Sequence, residues 1–339
     1  MAAWGVGVTT TEEVLAQLNP NLRNKLNIGS EIEYFRQETP SFALNRALNG
    51  GLPYGRQTLV WGSKSAAKSS LCLQIVGMAQ EEGKTAAWID AEQSFDPSWA
   101  TKLGVDTDKL IVSEAKTTND MANVGTDLMT AGVDVLVVDS ISALLPAIYF
   151  EKGSDELKDL ENTKQIGAES KDMGNAVKML NFANKNTLLI LISQQRNQIS
   201  AMYTQLQPTG GQATKFYSSV VIKLFSSESQ KQAIEKKMQV GDKLINEIVG
   251  REVTWDIQFS KTSPPFQKGQ YDFFFRGPDI GIDRMADLAD TCVELGIIEK
   301  GGAWYTCEGE RYQGRDKLVL GIKEDLDMQE ALIEKVRNV

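Results

Sequence analysis

The segment 62–70 has the residue types and spacing of a phosphate-binding loop. It reads Gly-Ser-Lys-Ser-Ala-Ala-Lys-Ser-Ser, follows the apolar run 58–61 and precedes the helix-like run 71–78. The backbone amides of such a turn bind phosphates, while Lys68 is placed to bind the outer phosphates and the Ser69 hydroxyl to ligate Mg²⁺. Taken alone, the loop also fits a serine-rich turn with a chance lysine. The candidate nucleotide-binding residues are Gly62, Ser63, Lys64, Ser65, Ala66, Ala67, Lys68, Ser69 and Ser70.

One position of this loop departs from the usual phosphate-binding pattern. The pattern has glycine before the lysine, and this chain has Ala67 there. If that residue must adopt a left-handed backbone conformation, alanine costs roughly 1–2 kcal/mol. Several charge-assisted bonds to a triphosphate exceed that cost, so we expect ATP binding to be retained.

Polar side chains follow three further apolar runs that are predicted to be strands. Asp139 follows 135–138, Glu92 closely follows 85–89, and Gln194 closely follows 188–192. Any one of them could be a polar residue that merely ends a strand, but together with the loop they favour a shared crevice at the carboxyl ends of a parallel sheet. There Asp139 could hold Mg²⁺, Glu92 could polarise a water for attack on the γ-phosphate, and Gln194 could sense that phosphate.

The composition excludes several kinds of chemistry. The 339 residues contain no histidine, so imidazole catalysis and histidine-ligated metals are excluded. The cysteines Cys72, Cys292 and Cys307 form no C-x-x-C pair, which argues against a disulfide framework or structural zinc. The net charge of −9 confines nucleic-acid binding to a local site. No run approaches the roughly 20 apolar residues of a membrane span, so we expect a cytoplasmic protein with no membrane partner.

The pattern of apolar runs predicts three regions. Residues 1–36 contain a candidate capping box at Thr10–Glu13 and are expected to form a helical arm. Residues 37–276 alternate short β-rich runs with helix-length segments, which predicts an α/β core with a mainly parallel twisted sheet flanked by helices. Within that core the runs 220–225, 254–259 and 271–275 are expected to be antiparallel strands at one edge. Residues 277–339 are expected to form a small α+β carboxy-terminal domain.

Long stretches of the chain resemble the RecA family of recombinases over residues 38–325. The loop segment 63–69, which lacks the usual glycine before the lysine, is similar to that of the UvsX branch from bacteriophages, which suggests a phage-encoded protein. The stretches that carry the family resemblance are 48–56, 82–92, 96–97, 102–106, 137–140, 186–190, 210–211, 215–217 and 302–305.

The resemblance implies a role for each matching residue of an ATP site. Asp96 and Trp99 would contact the adenine, Trp99 standing where the family usually has tyrosine. Lys68, Ser69, Glu92, Asp139 and Gln194 would take the roles given above. The family usually has two lysines that reach the phosphates bound by a neighbouring subunit. In this chain Lys261 matches one of them, and Phe259 replaces the other. Ser193 likewise replaces the usual asparagine before Gln194.

A long polar segment between Gln194 and Lys215 resembles the second DNA-binding loop of the family. Loops of this length in compact domains are usually functional or disordered, and a solvated connection is the alternative. The first DNA loop, near 151–174, matches less well because its acidic beginning suits a solvated surface. The candidate DNA-binding residues are Lys171, Arg196, Asn197, Ile199, Ser200, Gly210, Gly211 and Gln212.

The expected function is that of a DNA-dependent ATPase that forms a helical filament on single-stranded DNA and exchanges strands with duplex DNA. Leu15, Leu18, Leu22 and Leu26 would form an exposed apolar stripe on the arm of a monomer, which favours packing on a second copy of the chain. Single-strand-binding and mediator proteins are further candidate partners. The alternatives are a DNA-coating protein with little turnover of ATP and a ring helicase on the same fold.

Overall fold

The computed structural model describes residues 10–19, 35–150, 157–158, 168–199, 204–226, 232–240 and 243–339. The chain divides into two units, 1–35 and 36–339. In the first, helix α1 (Thr11–Gln17) has the predicted capping box, in which Thr10 and Glu13 each bond to the other's backbone amide. No residue of α1 is buried. Leu22 and Leu26 lie outside the described residues.

A mixed sheet forms the centre of the second unit. Its main path runs in the order β13-β12-β11-β9-β3-β7-β6-β4-β5. The strands are β3 (Gln57–Gly62), β4 (Ala86–Asp90), β5 (Leu110–Glu114), β6 (Val135–Asp139), β7 (Leu188–Ile199), β9 (Val220–Phe225), β11 (Lys243–Ser260), β12 (Lys268–Phe274) and β13 (Gly281–Ile282). A separate pair, β1 (Arg36–Gln37) and β2 (Leu52–Pro53), is antiparallel.

The central strands are parallel because helices connect them and cover both faces. Strands β3, β4 and β6 are buried along their whole length. One apolar cluster lies on the face covered by α3, and the other on the face covered by α5 and α6. The helices are α2 (Phe42–Ala47), α3 (Lys68–Glu81), α4 (Pro97–Lys102), α5 (Thr118–Ala131), α6 (Ala168–Ala183) and α7 (Gly211–Tyr217). The predicted mainly parallel sheet flanked by helices is confirmed.

Three local predictions need correction. Strand β9 pairs in parallel with β3 on one side and antiparallel with β11 on the other. The antiparallel pairings therefore begin between β9 and β11 and continue through β12 and β13. The polar segment after Gln194 is a β-hairpin, since β7 continues to Ile199 and pairs with β8 (Thr204–Pro208), which satisfies the backbone groups of both strands. The first-loop segment ends in helix α6, which contains residues 168–174.

Strand β10 (Ala233–Val240) was not predicted, and it forms a long hairpin with β11. The remaining residues form the expected α+β carboxy-terminal part. It holds a three-stranded antiparallel sheet of β14 (Glu299–Gly301), β15 (Trp304–Cys307) and β16 (Glu310–Gln313). The helices α8 (Arg284–Glu294), α9 (Arg315–Glu324) and α10 (Leu326–Arg337) pack with this sheet on a third apolar cluster.

Candidate functional site

The candidate phosphate-binding turn connects the end of β3 to the first residue of α3. Ala67 caps α3 with φ 55° and ψ 30°, so the left-handed conformation considered for this position is present. Gly62 has φ 154°, and a Cβ there would lie 1.8 Å from the carbonyl oxygen of Leu224 on the neighbouring strand. Glycine is therefore required at the start of the turn, whereas alanine before the lysine is tolerated at a strain of roughly 1–2 kcal/mol.

Lys68 lies inside this turn and is only 8% exposed. Its Nζ donates a hydrogen bond of 2.8 Å to the carbonyl oxygen of Ser63. Burial lowers the pKa of Lys68, against the opposing effect of the Asp139 and Glu92 carboxylates. An anionic phosphate group would supply the charge partner that this buried ammonium group needs.

Asp139 lies at the end of β6 and accepts a hydrogen bond from the Ser69 hydroxyl. Burial raises the pKa of Asp139 to about 6, while Ser69 and Lys68 act in the opposite direction. The hydroxyl oxygen of Ser63 is buried without a hydrogen-bond partner among the described residues. Four features of this site fit a triphosphate with Mg²⁺. They are the left-handed backbone at Ala67, the buried Lys68, the unpaired Ser63 hydroxyl and the pair of Ser69 with Asp139.

Glu92 links the nucleotide crevice to the polar hairpin. Its Oε1 accepts one hydrogen bond of 2.5 Å from the Ser140 hydroxyl and another of 2.8 Å from Nε2 of Gln194. The structure therefore brings Glu92 and Gln194 together, as expected from their positions after predicted strands. Ser140 was not assigned a role from the sequence, although its position directly after Asp139 at a strand end was the available signal.

Asp96 and Trp99 lie beside the same turn. Oδ1 of Asp96 caps α4 by accepting hydrogen bonds from the amides of Ser98 and Trp99, at 2.8 and 3.2 Å. Nε1 of Trp99 donates a bond of 3.4 Å to the hydroxyl of Ser70, in the first turn of α3. The residues expected to contact the adenine thus lie next to the residues expected to bind the phosphates.

The hairpin of β7 and β8 begins at Gln194. The carbonyl oxygen of Gln194 accepts bonds from both the amide and the hydroxyl of Thr209, and the Ser193 hydroxyl donates to the Thr209 carbonyl. Arg196 is exposed and lies opposite Gln207. Asn197 and Ile199 lie on the same strand, and Ser200 falls outside the described residues.

The two glycines at the end of this segment have left-handed backbone conformations, with φ 97° at Gly210 and 74° at Gly211. A Cβ at Gly210 would lie 2.6 Å from the hydroxyl of Thr214, so packing inside the protein requires this glycine. Gly211 lies beside Ser170 of α6, next to the exposed Lys171. Gln212 is exposed in the first turn of α7. These DNA candidates therefore occupy one neighbourhood.

Lys261 lies apart from the other candidates. The residue before it, Ser260, pairs with Val220 of β9, and Val220 pairs with Thr58 near the start of β3. The candidate phosphate-binding turn follows the other end of β3. Nζ of Lys261 donates a bond of 3.4 Å to the carbonyl oxygen of Phe216 and lies 5.8 Å from the ring centre of Phe259. Lys261 is thus near the end of the central strands opposite to its own candidate phosphate-binding turn.

Two known protein families match this chain over most of its length. The RecA N-terminal domain family matches residues 24–280, and the RecA C-terminal domain family matches residues 286–339. The chain is 36% identical over 305 residues to Protein RecA of Thioalkalivibrio sulfidiphilus, which covers 88% of this chain and 82% of the relative. It is 35% identical over 307 residues to Protein RecA of Aquifex pyrophilus, covering 89% of this chain and 82% of that relative.

None of the helices in the described part of the chain has the length and apolar content needed to cross a bilayer.

Proposed function

This chain belongs to the RecA family, and on that premise we propose that it is an ATP-dependent recombinase that assembles on single-stranded DNA and exchanges strands with a homologous duplex. Hydrolysis of ATP to ADP and phosphate accompanies this work and is stimulated by DNA. The observation that carries the proposal is the shared contact at Glu92, because it connects the nucleotide crevice to the hairpin through Gln194.

The nucleotide binds at the turn 62–70. Lys68 binds the outer phosphates, and Asp96 and Trp99 contact the base. Ser69 and Asp139 would hold Mg²⁺, which when bound neutralises charge on the phosphates. Glu92 accepts a proton from the water that attacks the γ-phosphorus, while the bond from that phosphorus to the leaving ADP oxygen breaks. The buried Lys68 ammonium group stabilises the negative charge on the phosphate oxygens.

DNA binds at the hairpin and the neighbouring start of α6. Arg196 and Lys171 contact phosphates, while Gly210, Gly211 and Gln212 present backbone and amide groups to the strand. Asn197, Ile199 and Ser200 are further DNA-binding residues of this proposal, in which Ile199 would insert between groups of bases. Gln194 connects the two sites because its backbone belongs to the base of the hairpin and its side chain contacts Glu92.

Lys261 acts on the nucleotide of a neighbouring subunit. Its location at the opposite end of the central strands from its own phosphate-binding turn supports this assignment. Head-to-tail use of two different surfaces produces an open helical filament or a ring, and the RecA relatives favour the filament. The arm 1–36, followed by the core 37–276 and the domain 277–339, would add contacts between copies of the chain.

Further proposals concern origin and partners. The turn with Ala67 in place of the usual glycine before the lysine supports a bacteriophage origin. Such a protein would act in the cytoplasm of the bacterial host, where its DNA substrates lie. Single-strand-binding and mediator proteins would assist its loading on DNA.

Phosphate release and electron microscopy test the proposal together. We expect purified protein to release phosphate from ATP faster with single-stranded DNA than without it, and to form regular helical filaments on that DNA with a slowly hydrolysed ATP analogue. DNA coating without stimulated phosphate release would favour the binding protein with little turnover. Closed rings that unwind duplex DNA would favour the helicase.

A further inference from the structure

Two donors of different kinds share one oxygen of the Glu92 carboxylate. The Ser140 hydroxyl donates to Oε1 at 2.5 Å, and the side-chain amide of Gln194 donates to the same atom at 2.8 Å. The backbone amides of Ala91 and Glu92 both donate to the carbonyl oxygen of Asp139, the residue before Ser140. The end of β6 therefore fixes Glu92 through both its backbone and its side chain.

The two donors differ in how freely they can leave. Ser140 is fully buried, and its carbonyl oxygen accepts a bond from the amide of Ala143. Gln194 is exposed, and its backbone lies at the base of the hairpin, where its carbonyl oxygen bonds to Thr209. The Gln194 side chain can move with the hairpin at little cost in packing, whereas the Ser140 hydroxyl cannot leave without losing a buried hydrogen bond.

We propose that Ser140 is a positioning residue that holds the Glu92 carboxylate when Gln194 leaves it. This inference rests on the proposed function, in which DNA binds at the hairpin and Glu92 accepts the proton of the attacking water; the displacement of Gln194 by DNA is part of the inference itself. Without DNA, Glu92 has two donors, and either one restrains its rotation. With DNA, Ser140 is the remaining donor of the pair, so stimulated hydrolysis depends on its hydroxyl more strongly than DNA-free hydrolysis does.

The variant Ser140→Ala separates this role from a purely structural one. It removes the hydroxyl, creates no unpaired donor and keeps the hydrogen bond from the Gln194 side chain to Glu92. We expect the DNA-stimulated kcat to fall on the order of tenfold, as for loss of one hydrogen bond to a charged group. The DNA-free rate should fall by a clearly smaller factor, so that the stimulation ratio decreases. Binding of a fluorescent ATP analogue and the melting temperature should stay close to those of the parent chain.

Two further variants serve as controls. Thr58→Val removes a fully buried hydroxyl from strand β3 that has no hydrogen-bond partner among the described residues, so it should leave the stimulation ratio unchanged. Ser140→Thr keeps a hydroxyl on Cβ and should restore most of the stimulated rate. A Ser140→Ala protein with undiminished stimulated turnover, or with equal losses in the presence and absence of DNA, overturns the inference.

The same assay distinguishes failure of this inference from failure of the proposed function. If Lys68→Ala still binds and hydrolyses ATP, the nucleotide site itself is misassigned. If Lys68→Ala is inactive and Ser140→Ala behaves like the parent chain, the site stands and only the role of Ser140 is wrong.

Discussion

The side-chain amide of Gln194 donates a hydrogen bond of 2.8 Å to the carboxylate of Glu92, although the two residues are 102 positions apart in the chain. Glu92 follows β4 and Gln194 lies in β7, and β6 lies between these two strands in the sheet. The contact places a residue of the exposed hairpin directly on the candidate base. A change at the hairpin can therefore reach the nucleotide crevice through a single side chain.

Replacing Glu92 by glutamine tests its role as the base. Glu92→Gln keeps the size of the side chain and an oxygen that can accept from Ser140, but it removes the basic carboxylate. We expect DNA-stimulated phosphate release to fall by about 10²-fold or more. ATP-dependent filament assembly on single-stranded DNA, followed by electron microscopy, should be retained. Normal turnover in this variant would remove Glu92 from the assigned role.

Ala67 provides a test of backbone strain in the phosphate-binding turn. Its left-handed conformation predicts that Ala67→Gly raises the free energy of unfolding by about 1 kcal/mol, because relief of strain exceeds the added entropy of the unfolded chain. Ala66→Gly is the matched control, since Ala66 is buried and is not among the residues with positive φ. The Ala66→Gly substitution should lower the free energy of unfolding by about 1 kcal/mol. Urea unfolding of both variants gives the comparison, and equal losses in the two would contradict the strain at Ala67.

Lys261 should act between subunits. Lys68→Ala and Lys261→Ala should each lack DNA-stimulated phosphate release when assayed alone. A mixture of the two should regain part of it, because some interfaces then combine an intact phosphate-binding turn with an intact Lys261 from the neighbour. Phosphate release measured across mixing ratios checks this, and a mixture as inactive as its components would place Lys261 outside the reaction.

Arg196 should contribute a phosphate contact on the hairpin. Arg196→Ala should weaken binding of single-stranded DNA and reduce the slope of log K against log salt by about one unit. Fluorescence anisotropy with labelled oligonucleotides at several salt concentrations measures both effects. Lys109→Ala, which removes a cation paired with Asp106 away from the hairpin, is the control and should leave the slope unchanged. An unchanged slope for Arg196→Ala would contradict the assignment.

Asp287 predicts a pH-dependent stability. It lies in α8 and accepts bonds from the Ser41 hydroxyl, the amide of Phe42 and the amide of Ala43, so it caps α2 across the fold. Burial raises the pKa of Asp287 to about 7, against the lowering effect of those bonds. The folded chain therefore holds a proton that the unfolded chain releases near pH 4. The free energy of unfolding should fall as the pH rises from about 4 to about 7.

The variant Asp287→Asn isolates this group. Because asparagine does not titrate, the decline in stability between about pH 4 and about pH 7 should become shallower than in the parent chain. Thermal melting at a series of pH values measures the slope. Asp327→Asn, an exposed carboxylate on α10, is the control for loss of one negative charge and should keep the parent slope. An Asp287→Asn slope equal to that of the parent would contradict the raised pKa.

Local sequence patterns were sufficient to predict much of the fold and to select the residues of the candidate nucleotide site. The apolar runs predicted the strands β3, β4, β6 and the beginning of β7, and the residues after them predicted the crevice with Lys68, Glu92, Asp139 and Gln194. These features could be predicted because hydrophobic periodicity and the phosphate-binding pattern depend on neighbouring residues in the chain. The capping box at Thr10 and Glu13 was predicted for the same reason.

Tertiary structure alone decided which distant residues meet. The parallel direction of β9, the extension of β7 into a hairpin with β8, the location of Lys261 opposite its own phosphate-binding turn and the hydrogen bond from Ser140 to Glu92 all depend on pairing between separate segments. Such pairing is selected by the packing of the whole sheet and the pairing of its backbone groups, and no local pattern contains that information.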